Sequence, residues 1–137
     1  MTCTYIDANV VIAAARGDDA LASRALTYLE DPQRTFVPSI FVRLEVLPKA
    51  AYLKRSDEAA CYTTFLDSVR AWAPVSNALL EHAHHLAVTH GLSALNAIHV
   101  AAAIALQADE LITAERPEKP MHRVIGVRVA SLFPPGT

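Results

Sequence analysis

The stretch Thr2-Cys3-Thr4-Tyr5-Ile6-Asp7-Ala8-Asn9-Val10-Val11-Ile12 decides the fold, because its hydrophobic pattern changes period at Asp7. Thr2 to Ile6 is β-branched and aromatic, a strand by propensity, and Asp7 ends it. Val10 to Ala15 is helix-compatible, so a strand runs directly into a helix with an acid at the junction.

The same alternation continues along the chain. Asp18 and Asp19 open a second helix, whose apolar positions Leu21, Ala25, Leu26 and Leu29 recur at helical spacing until Asp31-Pro32 stops it. Thr35 to Val37 reads as a second short strand. Pro38-Ser39 starts a third helix, with Ser39 as N-cap, Ile40, Leu44 and Leu47 on one face, and Glu45 in the second turn. Ser56 caps a helix reaching Arg70, with Asp57 and Glu58 in its first turn, where the helix dipole favours anions. Ala71 to Val75 reads as a poor strand. Ser76 to Thr89 is helical and ends at His90-Gly91, and Ser93 caps a helix that runs to about Gln107. Glu110 to Thr113 has strand length, and a pair of short β segments follows around Val124-Ile125 and Val127 to Val129. Strands alternating with helices predict βαβ units and a mostly parallel sheet with helices on both faces. In such sheets sites gather beyond the strands' C-terminal ends, where strand order reverses.

The chain of 137 residues suits a single domain spanning residues 1–137, and 53% hydrophobic with 19% charged residues is a globular composition. Cys3 and Cys61 lie in separate segments without metal-finger spacing, which reads as reduced thiols and a cytoplasmic setting. The first residues lack a basic region ahead of an apolar run, unlike a signal peptide. No uninterrupted apolar run approaches the roughly 18 residues of a membrane span, so no membrane association is expected. The net charge of -2 gives no global pull toward nucleic acid. Locally, however, Arg43, Lys49, Lys54 and Arg55 face only Glu45, and Arg116, Lys119, Arg123 and Arg128 face only Glu118. Either stretch suits a polyanion or a solvated surface.

Asp7, Glu45, Asn96 and Glu115 all fall where they can reach one end of such a sheet. Clustered carboxylates stay ionised only beside a cation, and hard oxygen ligands select Mg²⁺ or Mn²⁺. The chemistry suggested is metal-assisted hydrolysis of a phosphodiester. Each residue also has a plain reading: Asp7 as a helix cap, Glu45 as an i,i+4 partner of Lys49, Glu115 as a loop charge, Asn96 as part of first-turn hydrogen bonding.

The segments Tyr5 to Ile12, Pro38 to Glu45, Leu92 to Ala103 and Ala108 to Glu115, in that order, resemble the PIN domain family, most closely the VapC-type toxins of bacterial toxin–antitoxin pairs. The resemblance covers roughly Tyr5 to Val129. It implies a three-layer α/β/α fold, an endoribonuclease specific for single-stranded RNA and dependent on Mg²⁺ or Mn²⁺, a homodimer, and a small VapB-like antitoxin partner. It assigns Asp7, Glu45, Asn96 and Glu115 to the catalytic positions, with Asp7, Asn96 and Glu115 as metal ligands and Asn9 and Thr113 as supporting polar groups. Arg43, Lys49, Lys54 and Arg55, which flank Glu45, are then the RNA-binding candidates. Asn96 departs from the pattern, which has an acid there. An amide offers a neutral oxygen and no base, so weak or absent activity is expected, and a catalytically silent RNA-binding or protein-interaction module is the alternative.

Other constellations carry less. His82, His84, His85 and His90 lack an HExxH pattern, and His99, on one face with Asn96, reads as a packed, hydrogen-bonded side chain. Neither a GxSxG elbow nor a phosphate-binding glycine loop is present.

Overall fold

The computed structural model describes residues 1–16 and 19–134. In chain order it has strands β1 (Thr2–Ile6), β2 (Arg34–Val37), β3 (Glu110–Thr113) and β4 (Arg128–Ser131). The helices are α1 (Ala8–Arg16), α2 (Ala20–Leu29), α3 (Ile40–Tyr52), α4 (Ser56–Ser68), α5 (Asn77–His90) and α6 (Ala94–Ala105), with a short 3-10 helix at Pro120–Arg123. The sheet order is β2-β1-β3-β4 and every pairing is parallel. Tyr5 lies beside Val37 on one side and Leu111 on the other.

Successive residues of a strand point to opposite faces, yet Thr4, Tyr5 and Ile6 are all buried, as are Leu111 and Ile112. Both faces of the inner strands are therefore covered by helices, giving the three-layer α/β/α arrangement expected from the strand–helix alternation. The chain steps outward from β1 to β2, then returns past β1 to β3. The order thus reverses between β1 and β3, and the crevice of this fold lies beyond their C-terminal ends.

At the opposite end of those strands Glu110, 1% exposed, is the anchor of the sheet. Its carboxylate accepts hydrogen bonds from Thr4 Oγ1 at 2.7 Å, Arg34 Nε at 2.6 Å and Arg128 Nη2 at 2.7 Å. One side chain on β3 therefore touches each of the other three strands. Burial pushes its pKa up, but the hydrogen bonds from Arg34 and Thr4 and the charges of Arg34 and Arg128 outweigh this and hold it below the ordinary value. Arg34 is fixed in turn by Asp31 and lies 4.5 Å over the Tyr28 ring.

Several local expectations change. Ala71 to Val75 forms no strand; its contribution is one bond, from Ala73 N to Pro38 O at 2.8 Å, and Pro74 cannot donate to a ladder. Instead of two β segments after residue 123 there is one strand, β4, preceded by Gly126 at φ +117, where a Cβ would press to 3.2 Å from Ile104. Ser39 precedes α3 but does not cap it through its side chain, because its hydroxyl bonds to Tyr5. Ser56 is the first residue of α4 rather than its cap, and the helix stops at Ser68. Asp19 does cap α2, accepting Ala22 N–H at 3.0 Å; Asp18 lies outside the described residues. Ile40, Leu44 and Leu47 share a face of α3, but Ile40 and Leu44 are exposed, and the core is contacted by Val42, Val46 and Ala50.

Gly91 ends α5 in the left-handed region at φ +71 with nothing near its missing Cβ, so strain alone fixes the choice of residue. Gly91→Ala is expected to cost about 1 kcal/mol, read as a melting temperature lowered by a few degrees. Among the described residues no single helix is long and apolar enough to cross a membrane.

Candidate metal centre

The crevice beyond β1 and β3 is built from chain junctions. Asp7 follows the last residue of β1, so its position is set by the sheet, and it is 3% exposed. Its Oδ2 accepts the Thr113 hydroxyl at 2.8 Å, and its backbone carbonyl accepts the Val10 N–H at 3.1 Å. Burial drives the Asp7 pKa up; His99 and the Thr113 hydroxyl oppose that, and the Glu45 charge adds to it.

Thr113 ends β3 and joins two groups of residues. Its Oγ1 donates to Asp7 and accepts the Glu115 N–H at 3.1 Å. Asn9 braces the same turn, its Oδ1 accepting Ala114 N–H at 2.9 Å. The Glu115 carbonyl is held by Ser131 Oγ at 2.6 Å and His122 Nε2 at 3.2 Å. Asn96 enters from α6, whose cap Ser93 accepts the Asn96 N–H at 3.4 Å, and donates its side-chain amide to Glu115 Oε1 at 3.3 Å.

Glu45 arrives from α3. It forms no ion pair with Lys49 among the described residues; its Oε1 instead meets His99 Nε2 at 2.5 Å. The same nitrogen lies 3.7 Å from Asp7 Oδ1. His99 is 1% exposed, and its Nδ1 bonds the Tyr5 hydroxyl at 2.7 Å, which bonds Ser39 Oγ at 2.7 Å. Burial raises the Tyr5 pKa, so the phenol stays protonated. Ligand atoms of Asp7, Glu45 and His99 all fall within 4.8 Å of one another, the one such group among the described residues. Two carboxylates with an imidazole at that spacing suit a divalent cation. The histidines of α5 form no comparable cluster there.

All four sequence-selected positions therefore reach the crevice in two sets: Asp7 and Glu45 about His99, and Asn96 with Glu115, linked through Thr113. Thr113 bonds Asp7 and Glu115, and Asn9 bonds Ala114 beside them. Tyr5, Ser39, His122 and Ser131 were not singled out by sequence for this site; the available signal was His99, one turn after Asn96 on a helix that packs in the core. Of the basic residues, Lys49 follows Glu45 by one turn of α3, whereas Lys54 and Arg55 lie past the far end of that helix, roughly 15 Å along. Arg55 lies 3.9 Å from Glu58, which Arg16 also pairs. From the second basic stretch, Arg128 is committed to Glu110, while Arg116 is exposed beside Glu115 with its guanidinium 4.4 Å from the Phe133 ring centre.

In parallel α/β domains ligand sites gather past the ends of the central strands where strand order reverses, and here the acids lie at that point. Residues 4–116 match the family model of the PIN domain, and the chain belongs to that family, whose members are generally nucleases and generally depend on divalent metal. Several solved structures share the fold, three of them as follows. VapBC2 from Rickettsia felis bound to a DNA fragment from their promoter has a TM-score of 0.72 at 14% identity, covering 95% of this chain and 98% of that one. A toxin–antitoxin complex from Klebsiella pneumoniae has 0.69 at 21% identity over 95% and 98%. DNA-bound VapBC from Salmonella typhimurium has 0.69 at 12% identity over 97% and 100%. No curated protein is similar enough in sequence to stand as a relative.

Proposed function

We propose that the chain is the toxin of a type II toxin–antitoxin pair: an endoribonuclease for single-stranded RNA, dependent on Mg²⁺ or Mn²⁺, partnered by a VapB-like antitoxin, homodimeric and cytoplasmic, and weakened by Asn96. The observation that carries this reading is the convergence of Asp7 and Glu45 beyond β1 and β3, with Asn96 and Glu115 tied to them through Thr113. Family membership supports the nuclease class, and the fold shared with VapBC complexes supports a small protein antitoxin. The exposed apolar row on α3 supports a protein partner as well.

A bound cation supplies charge for the phosphodiester and an activated water. Asp7, Asn96 and Glu115 would hold it, Glu45 stands in the same crevice beside His99, and Asn9 and Thr113 brace the turn that carries the acids. Arg43 and Lys49, with Lys54 and Arg55 farther along, meet the RNA backbone. Asn96 brings no charge, and its amide hydrogens already engage Glu115. That bond favours the second reading, a silent PIN module that binds RNA or protein without cutting. Calorimetric titration with Mn²⁺ separates the two. Saturable binding that falls at least 10-fold in Asp7→Asn, with parallel loss of residual RNA cleavage, is expected of the enzyme. No binding in either protein identifies the silent module.

A further inference from the structure

We propose that His99 is a direct ligand of this centre and that the site accordingly prefers Mn²⁺ to Mg²⁺; the inference rests on the metal-dependent reading above. His99 Nε2 is the hub of the cluster, 2.5 Å from Glu45 Oε1 and 3.7 Å from Asp7 Oδ1. Ligand atoms on one cation sit roughly 3 Å apart for bonds of about 2.1 Å, so only small shifts of Glu45 and Asp7 admit an ion among the three.

The groups behind the imidazole support the role. Metal-bound histidines have their second nitrogen oriented by a hydrogen-bonding partner, and here Nδ1 meets the buried Tyr5 hydroxyl, itself paired with Ser39. That chain works in both directions, since either hydroxyl can donate to the other. Without a cation, His99 donates Nε2–H to Glu45, while Ser39 donates to Tyr5 and Tyr5 to Nδ1. With a cation, the proton resides on Nδ1, which donates to Tyr5, and Tyr5 donates to Ser39. The Nε2 lone pair is then free for the metal. The change moves the ring proton from Nε2 to Nδ1, and the Tyr5 and Ser39 hydroxyls turn to match.

The donor set explains the preference. Mg²⁺ demands oxygen ligands in near-ideal octahedral geometry, whereas imidazole suits the transition cations. With Asn96 neutral, the acids alone offer less charge to a hard cation, and a nitrogen donor counts for more.

Electron spin-echo spectroscopy of the Mn²⁺-loaded protein reads nitrogen coordination directly. A nitrogen modulation that changes with isotopically labelled histidine and disappears in His99→Gln is expected. In that variant Mn²⁺ affinity should fall roughly 10-fold or more, with a smaller change for Mg²⁺. Tyr5→Phe should keep the modulation while weakening Mn²⁺ affinity roughly 10-fold, the effect of losing an orienting partner. Bound Mn²⁺ without nitrogen modulation, or with modulation that persists in His99→Gln, overturns the proposal and leaves the acid-held metal centre standing. Failure of the protein to bind Mn²⁺ overturns both.

Discussion

Asn96→Asp is expected to raise cleavage of single-stranded RNA in the presence of Mn²⁺ by roughly 100-fold or more, the scale on which one well-placed electrostatic group acts in an active site. The reason lies in the 3.3 Å contact between the Asn96 amide and Glu115. An aspartate there removes a donor and sets two carboxylates side by side. Like charges about 4 Å apart repel by roughly 4 kcal/mol at the effective dielectric of a protein surface, less whatever side-chain rotation relieves. In the cation-free protein this lowers stability. A bound cation would offset that repulsion by attracting each carboxylate, so Mn²⁺ affinity should rise by about 10- to 100-fold. The paired measurement is thermal denaturation with and without Mn²⁺, beside an RNA cleavage assay. A variant that neither cuts RNA nor gains metal affinity would sink the nuclease reading and leave the silent module.

The second large effect concerns stability at the other end of the sheet. Glu110→Gln removes a buried charge that three donors surround, and the Arg34 guanidinium, only partly exposed, loses one of its two anions. Breaking a buried pair by deleting one partner costs about 3 to 5 kcal/mol. For a domain of this size that corresponds to a fall in melting temperature of roughly 10 °C or more. The pH dependence follows from the lowered folded-state pKa. Glu110 contributes its stability fully above the ordinary glutamate value of 4.5, and that contribution is lost as pH falls through the folded-state value below it. The wild-type advantage over Glu110→Gln should therefore be full at pH 7 and shrink steadily below about pH 4.5 in urea denaturation. An equal advantage at both ends of that range would show that the carboxylate's charge is not what holds the strands.

Much of this architecture was legible in the chain. β1, β3 and the helices around them declare themselves by propensity and period, because their residues are buried and the pattern answers to one core. The positions of the candidate acids Asp7 and Glu115 were legible because junctions after parallel strands are where such a fold presents side chains. The failures have local causes. Ala71 to Val75 has strand-like residues, but Pro74 takes away a ladder donor and no neighbouring strand is open to it. Ser39 has the residue type of a cap, yet a long-range bond to Tyr5 claims its hydroxyl. The apolar spacing on α3 is genuine helical spacing; nothing local says which side of a helix will meet the sheet. His99 is packed and hydrogen-bonded as its helix face implied, but its acid partner comes from a helix 54 positions earlier, which no local pattern declares.

Thr113 carries one more consequence. The atoms that aim Asp7 and Glu115 belong to two neighbouring strands and their immediate successors, locked before any ligand arrives. The conformational entropy of assembling this half of the pocket is therefore spent during folding, when the β1–β3 pair zips together, and association with a cation need not bear it.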